Sequence, residues 1–254
     1  MTARIDVSRS HDGKVARVAI DNQRKLNTLN SPLLEEAIGV LRVLAKDDSL
    51  RAVVITGAGE KAFIGGADIN EMAGLNNASA RAFITKVHGI CKAIRDLPVP
   101  AIARIDGYCL GAGLEVAASC DMRAASTRSV FGMPEVKVGI PSVVEAALLP
   151  RLIGWGRTAE LLMAAQNIDA KAAADWGFVE RLTAPDGLDA AVEDWLHAIL
   201  DNGPRAVRLQ KALMRRWERL ALDEAVAAGI DAFAQSMDSD EPAALLGHFA
   251  KRKR

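Results

Sequence analysis

Gly107-Tyr108-Cys109-Leu110-Gly111-Ala112-Gly113-Leu114-Glu115 is the stretch that decides the fold of this chain. Ala101-Ile102-Ala103-Arg104-Ile105 leads into it as a strand, and Ala112 to Ser119 leaves it as a nearly all-apolar helix. Glycines at such a junction let main chain approach a ligand closely. Amides at a helix start lack internal partners and carry partial positive charge, so the Ala112 N–H suits an anion or a polarised carbonyl. A second turn of the same kind lies upstream, Gly65-Gly66-Ala67-Asp68, where Ala67 offers another N–H. Two amides aimed at one point would stabilise a developing oxyanion. Asp68 itself has a plain role as the N-cap of a short helix.

Two glutamates accompany the turns. Glu115 sits in the first turn of the apolar helix, and Glu135 follows in Met133-Pro134-Glu135. Each alone fits a structural role, Glu115 through the helix dipole. Beside two bare-backbone turns they supply the acid and base that proton transfer on a carbonyl compound requires. The rival phosphate sites do not fit. Gly-x-x-x-Gly-x-Gly is not the dinucleotide spacing, and Gly57-Ala58-Gly59-Glu60-Lys61 lacks the P-loop spacing and its Ser/Thr.

Around these turns the pattern is α/β. Residues 15–20, 52–56, 101–105 and 121–125 read as strands. Residues 32–46, 79–95 and 112–119 read as helices. Beyond residue 142 the strand signal fades, with helices expected near 143–153, 157–164, 170–175, 189–201, 205–220 and 222–236. In 205–220, Leu209, Leu213, Trp217 and Leu220 share one stripe, while Arg208, Lys211, Arg215 and Arg219 form a basic, outward-facing one. The pattern divides the chain into an α/β core, 1–195, and a helical carboxy-terminal region, 196–254.

Composition removes several function classes. The 254 residues carry 32 Lys+Arg against 32 Asp+Glu, so no global field recruits nucleic acid or a membrane surface. No apolar run is long enough to span a bilayer and none resembles a signal peptide, which gives a cytoplasmic expectation. Cys91, Cys109 and Cys120 form no CxxC pair and read as buried free thiols. His11, His88, His197 and His248 have no HExxH-type spacing, so no metal site is expected.

The motifs Ala62-Phe63-Ile64-Gly65-Gly66-Ala67-Asp68-Ile69, Gly107 to Glu115 and Phe131-Gly132-Met133-Pro134-Glu135 resemble the crotonase (enoyl-CoA hydratase/isomerase) superfamily. Lys25-Leu26-Asn27-Thr28-Leu29 and Ala172 to Val179 extend the resemblance over essentially the whole chain. It implies a spiral of ββα turns whose carboxy-terminal helices serve trimerisation and cover the ligand, a homotrimer or homohexamer, and an acyl-CoA thioester as substrate. Coenzyme A would be part of that substrate, with no further cofactor.

Carried over by position, the oxyanion hole falls on the N–H groups of Ala67 and Ala112, and the catalytic carboxylates on Glu115 and Glu135. Lys25, Leu26, Ala67, Asp68, Ile69, Asn70 and Ala112 would line the CoA path, and Lys211 would reach a CoA phosphate. Both glutamates together favour hydration of a 2-enoyl-CoA. The same superfamily also holds isomerases, hydrolases and non-catalytic RNA-binding or scaffold members. Two departures bear on specificity: Ile140-Pro141-Ser142-Val143-Val144-Glu145-Ala146-Ala147 replaces a glycine-rich stretch, and Asn70 stands where a basic residue is frequent.

Overall fold

Ala52-Val53-Val54-Ile55-Thr56-Gly57 is buried at every position, as a parallel strand covered on both faces must be. A computed structural model describes residues 3–252 and makes this run the third strand of a six-stranded sheet. The chain begins with β1 (Arg4–Ser10), β2 (Val15–Asp21), α1 (Ser31–Leu44) and β3 (Ala52–Gly57). Next come β4 (Ala62–Ile64), α2 (Ile69–Met72), α3 (Asn77–Arg95), β5 (Ala101–Ile105), β6 (Tyr108–Leu110) and α4 (Ala112–Ser119). After β7 (Met122–Ser126) and β8 (Val130–Gly132), short helices α5 (Leu149–Ile153) and α6 (Trp155–Ala159) lead to β9 (Ile168–Asp169), α7 (Ala170–Asp175) and β10 (Arg181–Thr183). Four helices close the fold: α8 (Leu188–Asp201), α9 (Pro204–Trp217), α10 (Leu222–Ser236) and α11 (Glu241–Arg252).

The strands sort into two sheets by a repeating rule. From β3 on, each longer strand of the large sheet, β1-β2-β3-β5-β7-β10, is followed by a shorter one of the small sheet, β4-β6-β8-β9, until the last pair, where β9 precedes β10. The large sheet is parallel except for the β1–β2 hairpin, and the small one except for β8–β9. This is the expected spiral of ββα turns. The alternation of side chains along β3 and β5 separates two cores. Val53, Ile55, Ala101 and Ala103 face α1 and α3 in the main core, while Val54 and Ile102 face Leu188, Val192 and Leu196 of α8.

The small sheet, β1 and β10 carry too few residues or too weak an alternation to register in the sequence. The expected division after residue 195 falls inside α8. Among the described residues no helix is long and apolar enough to cross a membrane.

Three cations of the expected outward stripe, Arg208, Lys211 and Arg215, turn towards the protein, while Arg219, just beyond α9, is exposed. Lys211 is buried, and its Nζ donates to Val99 O at 2.8 Å and Asp121 Oδ2 at 2.7 Å. Arg215 donates to Asp121 Oδ1, and Arg208 to the carbonyls of Asp48 and Leu50. These three cations are therefore on the docking face of α9, where Asp121 and the carbonyls of the segments leading into β3 and β5 accept from them. Lys211 is engaged there and is not free to reach a CoA phosphate. Burial also pushes its ammonium below the usual lysine range, partly offset by Asp121. Replacing Lys211 by Met should cost about 2–3 kcal/mol of stability, since Asp121 keeps Arg215 and the Ala101 N–H but loses a charged donor. Urea unfolding at pH 7 measures it.

Candidate active site

Three neighbouring parallel strands, β4, β6 and β8, end side by side. The peptide leaving β4 is Gly65-Gly66-Ala67, the one leaving β6 is Gly111-Ala112, and the one leaving β8 is Met133-Pro134-Glu135. The carboxyl ends of parallel strands are where ligands bind in open α/β sheets. The three motifs that stand apart in sequence thus share one edge of the small sheet.

Hydrogen bonds fix the direction of each turn. Leu29 N–H donates to Gly66 O at 2.9 Å and Asp68 N–H to Leu29 O at 2.8 Å. In a parallel bridge of that pattern Ala67 turns its own N–H to the opposite side. Across from it, Gly111 N–H donates to Gly132 O, and Ala112 opens α4 as its first residue. Neither the Ala67 nor the Ala112 N–H has an acceptor among the described residues. Gly111 adopts φ 51°, ψ −122°, which side-chain-bearing residues avoid. A Cβ there would lie 2.5 Å from Glu135 Oε1 and 3.9 Å from Gly66 Cα. Both turns and the second glutamate therefore meet around this one glycine.

Upstream residues hold the first turn in place. Asn27, almost fully buried, donates from Nδ2 to Ala58 O and Ala62 O, and the Leu26 carbonyl accepts from Gly65 N–H at 2.8 Å. Lys25 Nζ is 2.7 Å from Asp68 Oδ2, and Asp68 caps α2 by accepting from Asn70 N–H. The Lys25 hydrogen bond holds the Asp68 carboxyl below its ordinary range. Ile69 and Asn70 are exposed beside this cap.

The two glutamates occupy different environments. Glu115 is 4% exposed on a helix buried along its entire length. Its Oε1 accepts from Ala146 N–H at 3.3 Å. Desolvation first, and the charge of Glu135 second, push its pKa up to about 8. Glu135 lies nearer the surface and accepts from Ser142 Oγ at 2.7 Å. Glu115 therefore stays protonated below about pH 8, so the site holds a buried carboxylic acid at neutral pH. A buried acid beside a second, partly solvated carboxyl is an arrangement suited to giving and taking protons.

Three contributors carry no local signature in the sequence. Ser142 and Glu145 come from the 140–147 stretch, and His88 projects from α3, where one histidine in a helix face announces nothing. Glu145 is buried; its Oε1 lies 2.8 Å from His88 Nδ1, and its Oε2 has no partner among the described residues. Its charge adds to the upward pressure on Glu115. Val144, just before it, is held at φ 40°, a strained conformation for a β-branched residue, costing about 1–3 kcal/mol.

Protonation of Glu115 has a thermodynamic consequence. Its folded pKa lies above the unfolded value of 4.5, so its contribution to stability is full below pH 4.5 and is lost as pH rises towards about 8. Glu115→Gln keeps the shape and the acceptor for Ala146 N–H without the ionisation. It should be more stable than the parent at neutral pH by on the order of 3 kcal/mol, with the difference vanishing below pH 4.5. Urea denaturation across pH 4 to 8.5 reads this directly.

Known proteins share this architecture. A profile of the enoyl-CoA hydratase/isomerase family matches residues 10–254. The short-chain-enoyl-CoA hydratase of Clostridium acetobutylicum is 37% identical over 244 residues, 95% of this chain and 94% of that protein. The crotonyl-CoA hydratase of Syntrophomonas wolfei is 34% identical over 242 residues, 94% of this chain and 93% of that one. Among solved structures, an enoyl-CoA hydratase from Bacillus anthracis superposes with a TM-score of 0.93 at 31% identity, covering 98% of this chain and 96% of its own. One from Mycobacterium smegmatis gives 0.94 at 27%, with the same coverages. The profile match over nearly the whole chain, and relatives above 30% identity that it covers almost end to end, place this chain in the enoyl-CoA hydratase/isomerase family.

Proposed function

We propose that this chain is an enoyl-CoA hydratase, a hydro-lyase that adds water across the double bond of a 2-enoyl-CoA thioester. The observation that carries this reading is the meeting of Gly66, Gly111 and Glu135 around one point, with protonated Glu115 behind it. The Ala67 and Ala112 N–H groups bind the thioester oxygen, whose charge grows as the enolate forms. One carboxyl of the Glu115–Glu135 pair takes a proton from water as its oxygen bonds to Cβ, and the other gives a proton to Cα. The pair starts and ends with one proton between them. Ser142 Oγ donates to the Glu135 carboxyl and Ala146 N–H to the Glu115 carboxyl, which holds both side chains in place.

Lys25 and Leu26 line the approach for the CoA portion, beside Asp68, Ile69 and Asn70, and coenzyme A arrives as part of the substrate. The acyl chain is short, by similarity to the relatives named for short-chain-enoyl and crotonyl substrates. The protein works in the cytoplasm, a reading supported by three free, buried cysteines. It assembles as a homotrimer or a dimer of trimers. Support for assembly lies on α10 and its C-cap, where Leu222, Val226, Ile230, Phe233 and the capping Met237 form an exposed apolar stripe at helical spacing.

Glu115→Gln and Glu135→Gln should each lower kcat for hydration of crotonyl-CoA by about 10²–10⁴-fold, read from loss of the conjugated-thioester absorbance. Near-full activity in either variant, or turnover confined to 3-enoyl-CoA, overturns the two-carboxylate hydration. Gly111→Ala should cost about 2 kcal/mol of stability through its backbone angles and about 10²-fold in kcat through displacement of Glu135. Urea unfolding and the same assay separate the two effects.

A further inference from the structure

The β1–β2 hairpin and α8 bring together residues that lie far apart in the chain, His11 with Glu193 and His197. His11 sits in the hairpin turn at φ 53°. Val15, opening β2, packs with Leu188, Val192 and Leu196, which anchors the hairpin end against α8. Glu193 and His197 are four residues apart on that helix and so share one face. His11 Nε2 is 3.1 Å from Glu193 Oε2, and the His11 and His197 rings meet edge-on with centroids 5.7 Å apart. One ligand atom from each of the three residues lies within 4.8 Å of the other two.

We propose that His11, Glu193 and His197 form a binding site for a zinc-class divalent ion that pins the hairpin to α8. Two imidazoles and one carboxylate are a donor set suited to borderline transition metals, with water in the fourth position. Tetrahedral bonds of about 2.0–2.2 Å hold ligands about 3.4 Å apart, close to the His11–Glu193 separation. Exposed His197 needs only to draw its ring inward. An ion pair between His11 and Glu193 would leave the second imidazole without a role; a metal uses all three. Ser10 supplies the outer contact, its Oγ 2.9 Å from His11 Nδ1. With metal on Nε2, the Nδ1–H donates to that oxygen and holds the ring in place. Spacing along the chain conceals the site, because one ligand lies in the first hairpin and the other two in α8.

The test is calorimetric titration of untagged, chelator-washed full-length protein with zinc chloride, beside thermal melts with zinc or magnesium. The expected result is one zinc per chain and a melting temperature raised by zinc but not by magnesium. His11→Ala and His197→Ala should each weaken binding by more than about tenfold, and Ser10→Ala by roughly tenfold. Glu193→Gln, which keeps the helix surface intact, should match the histidine variants, while His88→Ala should bind as the parent does. Zinc affinity unchanged in His11→Ala or Glu193→Gln, or no saturable binding in the parent, overturns the site and leaves a His11–Glu193 ion pair.

Discussion

Everything at this site depends on the parallel alignment of three short strands. β4, β6 and β8 contribute only three residues each, yet their side-by-side pairing fixes where three loops leave the sheet. A Cβ on Gly113 would lie 2.2 Å from Ile64 O, so the helix after the second turn packs directly onto the strand before the first. That contact ties the two turns, and with them Ala67 and Ala112, to one small sheet. A site made of main-chain donors needs this rigidity, since an amide cannot change rotamer to correct a misplaced turn.

The same architecture explains why the site is costly to fold. Glu115 is carried into an apolar helix packed on all sides, and it stays protonated because burial penalises its charge. Val144 is strained at the segment that hydrogen-bonds to it. Glu145 places a further buried carboxyl against His88. A protein selected for stability alone would place apolar residues here. Such penalties persist where pre-organised charge serves chemistry. The remaining stability comes from the two cores either side of the large sheet and from the Asp121 cluster that docks α9.

Much of this was legible in the residues. The glycine turns and the apolar run around Glu115 marked both halves of the site, and the long strands β2, β3, β5 and β7 followed from their hydrophobic patterns. The short strands were not legible, because three residues hold no periodicity and their pairing depends on neighbours distant in sequence. The basic stripe of α9 misled for a related reason. Periodicity separates charged from apolar residues but does not say which side meets the protein, and half-buried Asp121 with the carbonyls of Leu50 and Val99 drew the cations inward. His88 and the His11–Glu193–His197 group were silent because a histidine gains meaning only from what folding brings beside it.

A crystal structure of the protein with a saturated acyl-CoA, which binds without undergoing hydration, tests the central claim most directly. The account predicts the thioester oxygen within about 2.7–3.1 Å of both the Ala67 and Ala112 nitrogens, with the Glu115 and Glu135 carboxyls facing the two carbons beyond it. An oxygen bound by neither amide, or a thioester seated away from the ends of β4, β6 and β8, would contradict it.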